Sequence, residues 1–379
     1  METAVPPAPH DDLGAYLAYM VALQASDLFL TAGAVPTLKI QGLMRPLPMP
    51  MAALAPNRIK ELAYSMMSEA QMRRFEADLE CDLAVGIESL GRFRLNVYVQ
   101  RGQVSMVVRY VKDRIASIAA LGLPNVLHQL AMLKRGLVLV VGAAGSGKSS
   151  TLAAMLDYRN AQAPGHILTI EDPIEFLHAH KQCVVDQREV GLDTHSFEEA
   201  LRHAMREAPD LIMIGEIRDQ MTMQHALNYA ETGQLCLSTL HANNANQAIE
   251  RIINFFPEGA RKQTLMDLSL NLKGVIAQRL IPGVNNCLLP ATEVMLQSAY
   301  ISDLIQKGKI DQIKEAIGKS AEVGMQTFDQ SLFDLYSRHK ISLSQAIDNA
   351  DSKTDLSLRI RISPITTASS ASPAAPRLS

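Results

Sequence analysis

The chain has 379 residues, 47% of them apolar, with 36 lysines and arginines against 39 aspartates and glutamates for a formal net charge of −3. That length allows two or three domains around a sizeable core, and the slight acidic excess, with no Trp and nine each of Phe and Tyr, argues against the basic stripe and stacking platforms of a nucleic-acid binder. The four cysteines, Cys81, Cys183, Cys236 and Cys287, stand far apart with no C-x-x-C pair, so they suggest neither a zinc site nor a disulfide framework and are read as small buried hydrophobes.

Residues 1–11 carry acids and prolines where a signal peptide would have a basic and then an apolar segment, and are read as an unstructured start. No apolar run approaches the ~20 residues needed to cross a bilayer, which favours a cytoplasmic protein and leaves docking on a membrane protein open. Leu13, Tyr16, Leu17, Met20 and Leu23 recur at helical spacing. Strands are expected over 26–31 and 38–40, then helices over 56–67 and 68–79, the second opened by Ser68 with Gln71 in the capping-box position. From Gly91 to Gln100 the chain alternates, placing Phe93, Leu95, Val97 and Val99 on one face and Arg92, Arg94 and Asn96 on the other. Residues 103–111 supply its partner, with Arg101 and Gly102 in the turn and Arg109 near the far end. Residues 12–112 thus form an α+β domain, and 113–123 a linker.

From Pro124 the pattern turns to strand-helix alternation, the mark of a mostly parallel sheet with crossover helices. Four short apolar runs stand out, at 137–141, 166–170, 211–214 and 235–239. In open sheets of this kind ligands sit beyond the carboxyl ends of the strands, so the residues just after each run matter most. The first run leads into Gly142-Ala143-Ala144-Gly145-Ser146-Gly147-Lys148-Ser149, then Ser150 and a helical stretch. Glycines there let successive backbone N–H groups turn inward on phosphate oxygens at a helix N-terminus, Lys148 adds positive charge, and Ser149 offers a hydroxyl to Mg²⁺. The segment is read as a phosphate loop for a nucleoside triphosphate. After the other runs come Glu171-Asp172-Pro173-Ile174-Glu175, Gly215-Glu216-Ile217-Arg218-Asp219 and Leu240-His241-Ala242-Asn243-Asn244.

Hydrolysis of ATP needs a positioned water, a group that orients it, and charge neutralisation around the γ-phosphate. Glu216 is assigned to the water. Glu171 bears on the Mg²⁺ shell or the water, and His241 senses the γ-phosphate or hydrogen-bonds Glu216. Asp210, at the wrong end of its strand, is read as a structural cap. Further on, Ser196 to Glu199 form a capping box for a helix to Ala208, with Phe197, Ala200, Leu201, Ala204 and Met205 facing the core. Helical spacing returns over 301–307, 310–317, 326–339 and 342–350, and the tail from Ser363 is rich in Ser, Thr, Ala and Pro and reads as disordered.

The phosphate loop at 142–149, the acidic box at 170–175, the Gly215-Glu216 strand end and the histidine box Ser238-Thr239-Leu240-His241-Ala242-Asn243 together resemble the secretion and pilus ATPases of the PilT/VirB11/GspE type. Ala25 to Leu28 with Gly42, and Gly91 to Arg94, are similar to that family's PAS-like N-terminal domain. The resemblance implies an α/β fold with a RecA-like P-loop core over 124–362, a PAS-like α+β domain over 12–112, and a helical C-terminal part from about 297. Within the family the chain looks most like the PilU-like accessory retraction ATPases of type IV pili. It has no tetracysteine zinc insertion of the extension type. The stretch Ala299-Tyr300-Ile301-Ser302-Asp303-Leu304-Ile305-Gln306 lacks the arginines and acid that PilT-type motors carry there.

The resemblance further implies a homohexameric ring that uses ATP and Mg²⁺ to act on a PilC-type platform protein, beside a PilT-type ATPase, at the cytoplasmic face of the inner membrane. It also implies N-domain arginines near the γ-phosphate, with Arg94, Arg101 and Arg109 as candidates and Arg279 as a weaker interface residue. No nucleic acid or zinc is expected. Three readings of what ATP drives remain open: a pilus-retraction motor, accessory or principal; a RecA-like nucleic-acid translocase or helicase; and a regulatory subunit that modulates a partner motor.

Overall fold

The computed structural model describes residues 12–363 apart from 41, 49–51, 89, 112–113 and 286. The expected unstructured start and all but the first residue of the tail lie outside the described residues. The chain forms two compact units, one of Met1–Ile115 with Glu171–Ala179 and Gln187–Ala200, the other of Ala116–Ile170, His180–Asp186 and Leu201–Ser379. The first break falls within the expected linker. The grouping of 171–179 and 187–200 with the N-terminal segment is not visible in local sequence, because contacts far apart in the chain create it.

The first unit opens with α1 (Leu13–Ala22), capped by the Asp12 carboxylate, and runs through β1 (Asp27–Leu30), β2 (Thr37–Ile40) and β3 (Leu43–Pro46). Then come α2 (Pro56–Tyr64), α3 (Glu69–Asp78), β4 (Glu80–Ile87), β5 (Gly91–Gln100) and β6 (Gln103–Val111). The Ser68/Gln71 capping box that starts α3 is formed as expected. The six strands make one sheet in the order β3-β2-β1-β6-β5-β4. Phe93, Leu95 and Val97 of β5 are buried in its core with Leu28, Met106 and Leu17, as the alternation predicts. Sequence reading missed β4, where Cys81 and Leu83 point inward, because the intervening Glu80 and Asp82 are residue types depleted in strands.

The second unit contains α4 (Val126–Ala131), β7 (Gly136–Val141), α5 (Lys148–Gln162) and β8 (Gly165–Glu171). It continues through β9 (Cys183–Glu189), α6 (Phe197–Ala204), β10 (Leu211–Ile214), α7 (Gln220–Thr232), β11 (Leu235–Leu240), α8 (Ala245–Phe255) and α9 (Arg261–Asn271), the ends of β8, β9 and α6 crossing the division between units. A hairpin of β12 (Leu272–Pro282) and β13 (Leu288–Leu296) precedes α10 (Ala299–Gln306), α11 (Ile313–Lys319), α12 (Phe328–Ser337), α13 (Leu343–Asp348) and α14 (Lys353–Ile362). The sheet order is β13-β12-β7-β11-β10-β8-β9. β12 pairs parallel with β7, β7 with β11, β11 with β10 and β10 with β8, while β13 returns antiparallel to β12. Every residue of β7, β10 and β11 is buried, which is why these strands read as continuous apolar runs.

The helix after the phosphate loop runs to Gln162. Two expectations need correcting. The helix after Ser196 ends at Ala204 and tightens into a 3-10 turn over 205–207, leaving Met205 exposed where a core position was expected. Cys287 is exposed, unlike the other three cysteines. Lastly, β9, the β12–β13 hairpin and α14 had no counterpart in the sequence reading; in β12, Lys273 and the polar pair Gln278-Arg279 interrupt the apolar run.

Candidate nucleotide site

β7 delivers the phosphate loop to the carboxyl edge of the sheet. Gly147 takes φ 89° just before α5, and the helix start carries no side-chain cap. Its first N–H groups are thereby left to an anion, which the helix dipole also favours. A side chain at Gly142 would begin 2.4 Å from Ser146 Oγ and 2.6 Å from the Gln278 carbonyl, so the loop closes too tightly for any other residue. Lys148 folds back across this turn, its Nζ donating to the carbonyls of Gly142 at 3.0 Å and Ala143 at 2.9 Å. Ser146 Oγ is buried with no hydrogen-bond partner among the described residues. Tight glycines, an uncapped helix start, an ammonium group and an orphaned hydroxyl all fit a phosphate chain. Ser149 and Ser150 open α5 half-buried, Ser149 in the position from which a hydroxyl would meet Mg²⁺.

The next two strands bring Glu216 and His241 together. After β10, Gly215 N–H donates to the Ile170 carbonyl at 2.8 Å and Ile217 N–H to the Thr239 carbonyl at 2.9 Å. Ser238 Oγ and Thr239 Oγ1 donate at 2.7 Å to the carbonyls of Ile214 and Gly215. These bonds lock the two strand ends, and Glu216 is held between His241 Nε2 at 3.1 Å and Arg218 Nε at 2.8 Å. Asp219 caps α7 and Asn244 caps α8, fixing the loops that carry the pair. Along α8 runs an open cleft of about 690 Å³ lined by Gly142, Ala143, His241, Asn243, Gln247 and Arg251. Asp210 accepts from the His166 N–H at 2.8 Å, the structural role read for it.

Of the remaining candidates, Glu171, Arg94, Arg101 and Arg109 belong to the first unit. Glu171, at the end of β8, is 8% exposed and accepts from Gln187 Nε2 at 3.2 Å. Gln187 also clasps the acidic box, donating to the Phe176 carbonyl at 2.9 Å and accepting from His178 N–H at 2.8 Å. Arg94 and Arg109 face each other across β5 and β6. Two like charges in register repel, and each has its own carboxylate. Arg109 Nε donates to the buried Asp27 at 2.8 Å, and Arg94 Nε lies 3.1 Å from Glu189, an acid only 2% exposed that Arg92 also approaches at 3.8 Å. Arg101 sits exposed in the β5–β6 turn at φ 50°. Arg279, an interface candidate in sequence, belongs to the second unit and is engaged internally: it pairs with Asp351 at 2.9 Å, donates to the Asn349 carbonyl at 3.0 Å and stacks 3.9 Å over Phe328.

The model of the type II/IV secretion system protein family matches residues 12–331. The chain belongs to the type II/IV secretion system protein family. Among its relatives, the Pseudomonas aeruginosa type IV pilus ATPase PilU is 49% identical over 91% of this chain and 90% of its own length. The P. aeruginosa type IV pilus retraction ATPase PilT is 40% identical over 89% of this chain and 98% of its own. A crystal structure of the pilus retraction motor PilT with bound ADP superposes with a TM-score of 0.85 at 39% identity, covering 92% of this chain and 99% of that one. These likenesses bear out the kinship with pilus retraction ATPases and the RecA-like core expected from the four boxes. As a family member the chain is an ATPase that uses a nucleotide. Among the described residues no helix is long and apolar enough to cross a membrane.

Proposed function

We propose that the chain is an ATP-hydrolysing subunit of a type IV pilus motor, acting as a PilU-like accessory in pilus retraction. The observation that carries this reading is the 49% identity to PilU over nearly the whole of both chains, joined to a phosphate loop that meets a fixed carboxylate–imidazole pair. The loop amides of 142–150 and Lys148 bind the phosphates. Glu216 orients the attacking water, with His241 and Arg218 holding its carboxylate in place, and Glu171 supports the same edge from β8. Ser149 would hold Mg²⁺ through its hydroxyl, and the ion would supply charge neutralisation at the phosphate oxygens. Arg94 and Arg109 bring positive charge to the γ-phosphate after leaving Glu189 and Asp27. The working form is a homohexamer at the cytoplasmic face of the inner membrane, acting on a PilC-type platform protein together with a PilT-type ATPase. The accessory role is favoured by α10, which carries Ile301, Ile305 and Gln306 where the resemblance places the two arginines and the acid of a PilT-type motor.

The test has two arms. Lys148→Ala abolishes nucleotide binding or turnover of the purified protein. In cells, pilus number and twitching change in a deletion strain, most visibly when the PilT-type partner is also varied. Unchanged pili in every background would remove the retraction role.

A further inference from the structure

Two buried polar side chains of the β12–β13 hairpin lie outside every motif. Ala277 is in register with Val141, the last residue of β7, so Gln278 stands level with Gly142 at the root of the phosphate loop. Gln278 is 4% exposed. Its Oε1 accepts from Thr151 Oγ1 of α5 at 2.7 Å, its Nε2 lies 2.7 Å from where a Gly147 side chain would start, and its own carbonyl underlies Gly142. One residue thus touches the first glycine, the last glycine and the helix of the loop.

On the other strand, Glu293 pairs directly with Ala277. Opposed residues of an antiparallel pair share a face, and the next residue along takes the opposite one, so Glu293 and Gln278 project from opposite sides. Glu293 is 1% exposed, and its Oε1 accepts from the Ala245 N–H at 2.9 Å. Ala245 is the first residue of α8, the helix directly after the histidine box. Glu293 Oε2 has no hydrogen-bond partner among the described residues. A buried acid is costly to keep for packing alone, and this one is spent on a single helix-start amide.

We propose that the β12–β13 hairpin is a two-sided brace that sets the phosphate loop and the histidine box in position relative to each other, Gln278 holding the first and Glu293 the second. Both are positioning residues, acting through Gly147 and Thr151 on one side and through Ala245 and His241 on the other. This rests on reading the loop as the ATP site. It assigns the two sides different kinetic signatures, because the loop binds substrate while the histidine box acts on Glu216.

Steady-state ATPase kinetics and melting curves on the full chain test it. Gln278→Leu raises KM for ATP by about tenfold, the equivalent of one buried hydrogen bond, with kcat changed less. Glu293→Leu lowers kcat by ~10–100-fold through misplacement of the imidazole, with KM within about threefold. Glu293→Gln, which keeps an acceptor for the Ala245 N–H, stays near the wild-type rate. Should Glu293→Leu fail to fold, Ala245→Pro removes the donor at a helix position where proline is tolerated, and lowers kcat in the same way. Variants that lower the melting temperature while leaving KM and kcat unchanged overturn the brace, as does a Glu293→Gln variant as slow as Glu293→Leu. A Lys148→Ala protein that still turned over ATP would instead sink the ATP-site reading.

Discussion

Replacing Glu216 by Gln keeps the shape of the side chain and one oxygen acceptor while removing the charge. In the structure both carboxylate oxygens are engaged, one by His241 at 3.1 Å and one by Arg218 at 2.8 Å. Arg218 and His241 are 59% and 40% exposed, so losing these pairs costs only about 1 kcal/mol of stability. The catalytic cost is larger. Losing a group that takes or orients a proton in the transition state typically costs ~10²–10⁴-fold, about 2.7–5.4 kcal/mol of activation free energy. Phosphate release under saturating ATP should therefore fall at least about a hundredfold, while equilibrium binding of ATP and the melting temperature stay near wild type. A Glu216→Gln protein within tenfold of the normal rate, alongside a Glu171→Gln protein with none, would show that the water belongs to Glu171.

The geometry sets three further outcomes. Arg94→Gln should lower kcat by about 10³-fold or more if its charge reaches the γ-phosphate, with ATP affinity retained; a normal rate in a phosphate-release assay would confine Arg94 to its ion pair with Glu189. Asp351→Ala strips the counter-charge from Arg279 and Lys314, which lie 2.9 and 2.8 Å away. Breaking this half-exposed cluster should cost about 2 kcal/mol and lower the melting temperature by about 5 °C, and an unchanged melt would refute the link between hairpin and C-terminal helices. Burial pushes the Glu293 carboxyl above the ordinary carboxylate range; the Ala245 N–H opposes the rise, Asp351 adds to it, and Lys314 and Arg279 also oppose it. The folded protein then holds this proton more tightly than the unfolded chain, so stability falls as pH rises from the ordinary carboxylate value through the raised one. Glu293→Gln should therefore raise the melting temperature at neutral pH and not at about pH 4, and a melt that shifts equally at both would contradict the assignment.

The phosphate loop, the parallel strands and the Glu216–His241 edge were legible in the chain because each has a local signature. A buried parallel strand reads as an unbroken apolar run, and the polar cluster just beyond it marks the sheet edge. Gln278, Glu293, Gln187 and Glu189 were not legible, for one shared reason. Each is a polar residue inside a strand with no local motif around it, and its meaning comes from strand register and from partners far away, such as Thr151 for Gln278 or Arg94 for Glu189. The clean alternation of β5 did foretell Arg94 on the polar face, but the acid waiting for it is encoded nearly a hundred residues later.

That separation bears on how members of this family can be recombined. A chimera joined in the stretch 113–123 would look like a clean exchange of N-terminal domains, yet it would carry Arg92 and Arg94 into the new protein and leave Glu189 behind. The incoming sheet would then present Arg94 opposite Arg109, with Arg92 two residues along the same strand, and Asp27 already engaged by Arg109. An exchangeable module for this protein is therefore discontinuous: it must travel with the Gln187–Ala200 segment.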